Sequence, residues 1–311
     1  MRIVIAGGSG FLGSPLAETY AEEGHDVRVL TRSLPPGESR HESGTGVPGI
    51  TRVGWRPDGQ SGPWAECIAG ADAVINLAGA SIGEKRWTPQ RKAELRDSRI
   101  LSTRSLAAAI KAAAVPPQVF VSASAIGYYG TSSGGEVKTE ASPAGADFLA
   151  HLCEDWEAEA DKASRDGMRL VIIRTGLVIE RSGGPLARMI TPFRLGAGGP
   201  MGSGRQYMSW IHRLDWIEIV RWIVQTPGAA GPFNLTAPHP VTNREFARAL
   251  GRSLKRPSFV PAPAAALRVV LGEFANYVVT GQRVIPAHAQ ALGYHFRYPE
   301  VDIAFRGIFG D

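Results

Sequence analysis

The 311 residues carry 34 Lys+Arg against 29 Asp+Glu, a formal net charge of +5, with 44% hydrophobic and 20% charged residues. This is the composition of a globular chain with an ample core, long enough for one large domain or two moderate ones. The basic residues are scattered, with no five Lys/Arg in a row, so nothing points to nucleic acid.

The chain opens with the apolar run RIVIA (2–6), then the glycine stretch GGSGFLG, then helix-like sequence to about residue 23. VRVLT (27–31) predicts a second strand, and SLPPGESRHESGTGVPGI (33–50) a surface loop. DAVINLAG (72–79), QVFVSAS (118–124) and RLVIIRTGLVI (169–179) continue the strand series, with helices predicted at about 88–114 and 146–166. Thr88-Pro89 is a helix start, a capping residue followed by proline at the first helical position. Strands that are apolar throughout are buried on both faces, and their alternation with helices implies a parallel, doubly wound sheet.

After about residue 180 the rhythm weakens. SGGPLARMITPFRLGAGGPMGSG reads as mostly loop, Thr242 and Glu245 form a capping-box pattern, and helical sequence continues to about 293. YHFRYP (294–299) predicts a last short strand. The expected class is α/β: a Rossmann-type doubly wound parallel sheet with a smaller, mainly helical C-terminal substrate lobe. The nucleotide domain is expected over 1–180 with 205–236, and the lobe over 181–204 with 237–311.

Two cysteines, Cys67 and Cys153, give neither a disulfide framework nor a zinc site, and fit a reducing cytoplasm. The first apolar run is shorter than the core of a secretory signal. No stretch approaches the roughly eighteen apolar residues of a membrane helix; the most tempting, AAALRVVLGEFANYVV, carries Arg268 and Glu273. No membrane and no nucleic-acid partner is expected.

The glycine stretch fits a dinucleotide fingerprint in either of two registers, starting at Gly7 or Gly8 and continuing through Gly10 and Gly13. An early glycine makes the turn, Gly10 lets backbone approach the pyrophosphate, and Gly13 lets helix pack on strand. The helix N-terminus then offers free N–H groups to phosphate. The strand before and the helix after supply the context such a motif requires. At the end of the second strand stand Thr31, Arg32 and Ser33, while the nearest carboxylate, Asp26, is at the wrong end. An acidic residue there would select NAD; an arginine instead pairs with a 2′-phosphate, so NADP(H) is the expected cofactor.

With NLAG (76–79), VSASAIGYYG (121–130) and SWIHRLD (209–215) added, the sequence resembles an extended short-chain dehydrogenase/reductase. The segments NLAGASIGEKRWT, DFLAHLCEDWE, RTGLVI and VLGEFANYVVTGQRVIPAHAQALGYHFRYP narrow the resemblance to an epimerase family whose tail is a small domain of undefined function. The resemblance implies that Ser9, Gly10, Phe11 and Leu12 line the pyrophosphate, and that Thr31 and Arg32 hold the adenosine end. Leu77, Ala78 and Gly79 would pass beneath a ribose. Ser122, Ala123 and Ser124 would lie beside the nicotinamide, and Arg174 to Leu177 would border the substrate cleft. SWIHRLD would be a late strand returning to the sheet. A homodimer is compatible with the resemblance.

The resemblance breaks at the chemistry. The family's usual tyrosine and lysine, four apart on one helix face, are absent from DFLAHLCEDWEAEA (147–160). Ser124, Tyr128 and Tyr129 remain as candidate catalytic groups, Ser124 to hydrogen-bond a substrate carbonyl and a tyrosine to supply a proton. His151 is a weaker candidate, and Cys153 reads as a core residue. Lys85, Arg86 and Trp87, after a parallel strand, and Arg205, Ser209 and His212, around the late strand, are further candidates for the cleft. Two readings stay open. One is an NADP(H)-dependent oxidoreductase or epimerase acting on a small oxygenated, sugar-nucleotide-like substrate. The other is a catalytically silent NADPH-binding sensor.

Overall fold

The computed structural model describes residues 1–41, 49–132 and 135–310, so residues 42–48 of the expected surface loop lie outside the described residues. The strands are β1 (Arg2–Ala6), β2 (Asp26–Thr31), β3 (Ser39–His41), β4 (Ile50–Gly54), β5 (Ala73–Asn76), β6 (Val119–Ala125), β7 (Val137–Lys138), β8 (Arg169–Thr175), β9 (Leu177–Ile179), β10 (Tyr207–Met208), β11 (Trp210–His212), β12 (Gly231–Leu235), β13 (Val241–Thr242) and β14 (Arg283–Val284). The helices are α1 (Gly13–Glu22), α2 (Pro89–Ala112), α3 (Phe148–Asp161), α4 (Gly184–Arg194), α5 (Arg213–Gln225), α6 (Asn243–Leu254), α7 (Ala264–Leu271), α8 (Ala275–Val279), α9 (Ala287–Ala291) and α10 (Val301–Phe309).

Among the described residues the main sheet runs β12-β8-β6-β5-β1-β2-β4-β3, parallel throughout except for β3. The order reverses at β1, between β5 and β2, where open α/β sheets bind ligands beyond their carboxyl ends. Alternate strand residues feed two layers. Ile3, Ile5, Val29, Val121 and Ile173 pack with Leu16 and Tyr20 of α1 and with Trp216 and Val220 of α5. Val4, Leu30, Val74, Phe120 and Ile172 pack with Leu106 and Ile110 of α2 and Ala160 of α3. This is the doubly wound α/β class expected from the apolar runs.

A third core joins Leu186, Ile190 and Phe193 of α4 with Phe246 and Leu250 of α6, Phe305 of α10, and Trp210. Thr88 caps α2, its side chain accepting from Arg91 N with Pro89 in the first turn. The capping box of α6 forms as predicted: Glu245 N donates to Thr242 Oγ1 and Thr242 N to Glu245.

The structure departs from the sequence expectations in four places. First, β3 lies within the expected loop 33–50 and pairs antiparallel with β4, whose first residue, Ile50, is already strand. Second, the run 169–179 is two strands: the chain turns at Gly176, whose N–H donates to Leu235 O at 3.0 Å, and β9 leaves the main sheet. It pairs with β11, so SWIHRLD does not return to the main sheet; β12 does. Third, the glycine-rich stretch after 180 contains α4, started by proline in its first turn and held by Leu186, Ile190 and Phe193 on one face. Fourth, residues 294–299 form no strand. Their backbone is taken by a side chain: Arg297 N and Tyr298 N each donate to the Asp215 carboxylate at 2.8 Å.

Asp215 is 1% exposed. Asp215→Ala should leave those two donors without an acceptor and lower stability by about 2–5 kcal/mol, read from urea unfolding. An unchanged midpoint would show that the segment is held by its aromatic contacts alone.

Candidate functional site

The glycine loop sits at the reversal point. Gly7 has φ +80° and lies so close to β5 that a Cβ would stand 2.7 Å from the Leu77 carbonyl. A Cβ on Gly13 would enter the Gly7 carbonyl oxygen, so the first turn of α1 can close against β1 only with glycine here. Gly10 N donates to Gly7 O at 3.0 Å and shapes the turn. Ser9 and Gly10 are exposed. The α1 N-terminus has no side-chain cap and no acid in its first turn, so its free N–H groups and dipole are open to an anion. Phe11 turns away, its ring against Gly183 and Gly184 with the Arg213 guanidinium 5.7 Å from its centroid. Leu12, half-buried, packs on the α1/α5 layer.

Beyond β2, Thr31 is buried and shares a 2.8 Å hydrogen bond with Ser33, while Arg32 is exposed. Arg32 lines a cavity of about 410 Å³ together with Ser33, Leu34, Pro35, Pro36, Trp55, Arg56 and Pro57. The adenosine end of a dinucleotide on the glycine loop would have to cross the ends of β2 and β4, where this cavity opens. A glycine cradle, an uncapped helix end and a basic cleft together fit a phosphorylated dinucleotide.

Beyond β5, the buried Asn76 donates to Thr103 Oγ1 at 2.8 Å and accepts from Ala78 N at 3.2 Å. That holds the Leu77–Gly79 turn open at the strand end. Arg99 of α2 lies beneath it, donating to Ala80 O at 3.0 Å and Leu95 O at 2.9 Å. Burial lowers the Arg99 guanidinium to about 10.

The candidate catalytic residues fall in a hydrogen-bonded cluster on the α3 face of the sheet. Ser124 and Arg174 are partners in register on β6 and β8. Arg174 Nε and Nη2 donate to the two oxygens of Glu157, on α3, at 2.9 and 2.8 Å. Ser124 Oγ donates to the same carboxylate at 2.6 Å. Ser124 is itself buried, 3% exposed, and its hydroxyl also meets the Cys153 thiol. Tyr128 is half-buried, with the Arg174 guanidinium carbon 3.4 Å from its ring centroid. The Tyr129 hydroxyl donates to Asn234 Oδ1 at 2.6 Å and accepts from Arg174 Nη1 at 3.1 Å. Burial pushes the Tyr129 phenol up to about 12, the opposite of what a proton donor near neutral pH requires.

Other candidates are placed elsewhere. Ser122 is fully buried, so its side chain cannot meet a ligand above the strand ends; Ala123 packs towards the α1/α5 layer. His151 is exposed, and Cys153 is buried against Ala125 O, its thiol pushed up to about 11 by burial. Trp87 is buried among Phe148, Phe274 and Tyr277, at 5.3, 5.5 and 5.2 Å between centroids, and pins the loop after β5 to the C-terminal segment. Lys85, Arg86 and Arg205 are exposed. Ser209 accepts from Val284 N and donates to Gln282 O, a tether for β14. His212, 3% exposed, caps α5 through Nδ1, which accepts from Leu214 N, and stacks on Tyr298 at 3.9 Å.

Sequence reasoning missed Glu157, Asn234 and Arg56. A signal existed for Glu157: an arginine inside the apolar run RLVIIRTGLVI has to find a buried carboxylate, and the inner face of the helix before it is the nearest source.

The chain matches the model of the NAD dependent epimerase/dehydratase family over residues 3–235, and that of a domain of unknown function, DUF1731, over 262–308. It is 41% identical over 310 residues to the epimerase family protein SDR39U1 homolog, chloroplastic, of Arabidopsis thaliana, covering 99% of this chain and 86% of that protein. The crystal structure of human epimerase family protein SDR39U1 (isoform 2) with NADPH superposes with a TM-score of 0.88 at 35% identity, over 100% of both chains. The nucleoside-diphosphate sugar epimerase of Corynebacterium glutamicum gives 0.78 at 30% identity, over 100% of this chain and 58% of that one.

Glu157→Gln should leave Arg174, 4% exposed, without a counter-charge and destabilise the fold by about 3–5 kcal/mol. Adding Arg174→Met should restore part of that loss in chemical denaturation. His212 yields a pH effect. Burial lowers its imidazole from 6.5 to about 4, so the native state stays neutral while the unfolded chain takes up a proton. Its contribution to stability is complete above pH 6.5 and is lost as pH falls towards 4, by up to about 3 kcal/mol. His212→Asn, which can still cap, should flatten the stability profile across that window; parallel profiles would exclude His212 as the source.

Proposed function

Because the chain belongs to the NAD dependent epimerase/dehydratase family, we propose that it binds NADP(H) and acts as an atypical oxidoreductase or epimerase on a small oxygenated substrate. The observation that carries the cofactor half is the exposed Arg32 in the cleft at the carboxyl ends of β2 and β4, with no carboxylate partner among the described residues. Thr31 and Arg32 hold the adenosine end, and Gly7, Ser9, Gly10, Phe11, Leu12 and Gly13 hold the pyrophosphate through backbone. Leu77, Ala78 and Gly79 form the floor, with Ser122 and Ala123 packed beneath it and out of reach of the ligand. NADPH in the human SDR39U1 crystal structure supports this reading.

When bound, NADP(H) supplies a hydride donor or acceptor. The chain's own contribution is the Ser124–Glu157 pair. Ser124 Oγ, its hydrogen already directed at Glu157, is set to accept a hydrogen bond from a substrate hydroxyl. As that proton arrives, the serine proton can pass to the carboxylate. Tyr128 walls the site, and Tyr129 holds Arg174 in place. Residues 181–204 with 237–311 form the substrate lobe, and the buried free thiols of Cys67 and Cys153 suit the cytoplasm.

A specific observation favours a second reading, a cofactor-binding sensor: both oxygens of Glu157 are already engaged by Arg174, so the carboxylate is committed to a structural ion pair. Turnover separates the two. NADPH oxidation should appear with some member of a panel of carbonyl compounds and nucleotide sugars, and Ser124→Ala should lower kcat by about 10²-fold. Tight NADPH binding with no turnover on the whole panel would favour the sensor. For the cofactor itself, calorimetry should give tighter binding of NADPH than of NADH, lost in Arg32→Ala. Gly13→Ala should abolish both.

A further inference from the structure

Arg32 does not stand alone in its cleft. Thr31, the last residue of β2, is in register with Gly54, the last of β4, and Trp55 N still donates to Thr31 O at 2.9 Å. Arg32 and Arg56 therefore leave adjacent parallel strands within a residue or so of the same level. The segment after β2 folds back over β4: Gly37 N donates to Gly54 O at 2.8 Å, and Gly54 N to Glu38 O at 2.7 Å. Pro35, Pro36 and Pro57 stiffen the walls. Trp55, 4% exposed, anchors the floor edge-on to Trp64 at 5.4 Å.

Both arginines line this cavity, both are exposed, and neither makes an ion pair among the described residues. At the opposite end of the sheet the pattern is reversed, where Arg2 and Arg28 share Asp26. Two unpaired guanidinium groups lining one cavity set up a positive potential there that favours a ligand of high negative charge. A monophosphate ester, with charge near −2 and three acceptor oxygens, matches that arrangement.

We propose that Arg56 is a second determinant of cofactor choice, gripping the 2′-phosphate of the adenosine ribose from the β4 side while Arg32 grips it from the β2 side. This rests on the NADP(H) reading and extends it to a two-arginine clamp. The clamp reads the phosphate and not the adenine, so its loss is felt only by 2′-phosphorylated ligands.

The test is calorimetric titration of the full chain and of Arg56→Ala and Arg56→Lys with NADPH, NADH, 2′,5′-ADP and 5′-AMP. Arg56→Ala should weaken NADPH and 2′,5′-ADP by about 10- to 100-fold while NADH and 5′-AMP shift less than about twofold. Arg56→Lys, which keeps the charge but loses the fork, should fall between. Equal weakening of phosphorylated and unphosphorylated ligands would mean that Arg56 touches the base or sugar, and the proposal fails. No change in any affinity overturns it as well, while the NADP(H) reading stands if Arg32→Ala alone removes the preference. If the unaltered protein binds NADPH and NADH equally, the cofactor reading itself falls.

Discussion

The ion pair between Glu157 and Arg174 organises the site more than any other contact. A guanidinium on an inner strand of a parallel sheet is taken out of water, and only close pairing with further hydrogen bonds compensates that. Here both carboxylate oxygens are used, and Ser124 donates to one of them. The remaining Arg174 nitrogen serves the Tyr129 hydroxyl and the Glu140 carbonyl. From Tyr129 the network passes to Asn234 on β12, and from Asn234 Nδ2 to Ile285 O. Glu140 closes it, accepting from Asn234 N and His288 N. Strands β6, β8 and β12, helix α3 and the start of α9 are thereby joined through one buried charge pair.

The two halves of the site are built from different materials. The cofactor half is mostly backbone: glycines at close approaches, free N–H groups at the start of α1, and the strand-end turn braced by Asn76. Its demands are steric and local. The half around Arg174 is made of side chains from three elements, and its properties are electrostatic. A phenol that exchanges protons near neutral pH needs a neighbouring cation and access to solvent or substrate. Tyr129 has the cation but is enclosed, and desolvation outweighs the charge. The Ser124 hydroxyl is fixed instead by a carboxylate, donating to Glu157 at 2.6 Å.

The C-terminal segment is coupled to both halves. Trp87, from the loop after β5, is enclosed by Phe148 at the start of α3 and by Phe274 and Tyr277, and Lys92 of α2 pairs with Glu273 at 2.6 Å. The Asp215 carboxylate gathers the backbone of residues 297 and 298. These contacts tie residues 273–277 to the loop after β5 and to α2, and residues 297–298 to α5.

The features legible in the sequence are those with a local cause. Continuous apolar runs fix which strands are buried on both faces. The glycine spacing marks a close turn from strand to helix, and Thr88-Pro89 and Thr242 with Glu245 mark helix starts. Each depends on neighbours within a few residues. The tertiary structure alone decides what requires distant residues to meet. Residues 294–299 look like a strand but are held by the Asp215 carboxylate. The run 169–179 looks like one strand but breaks at Gly176, where β12 takes its N–H. Ser124 looks like a free donor, yet a glutamate 33 positions later takes its hydrogen. Pairing across that separation is set by how α3 lies on the sheet. A hydroxyl's role depends on which partner packing brings within about 3 Å, and no spacing along the chain encodes that distance.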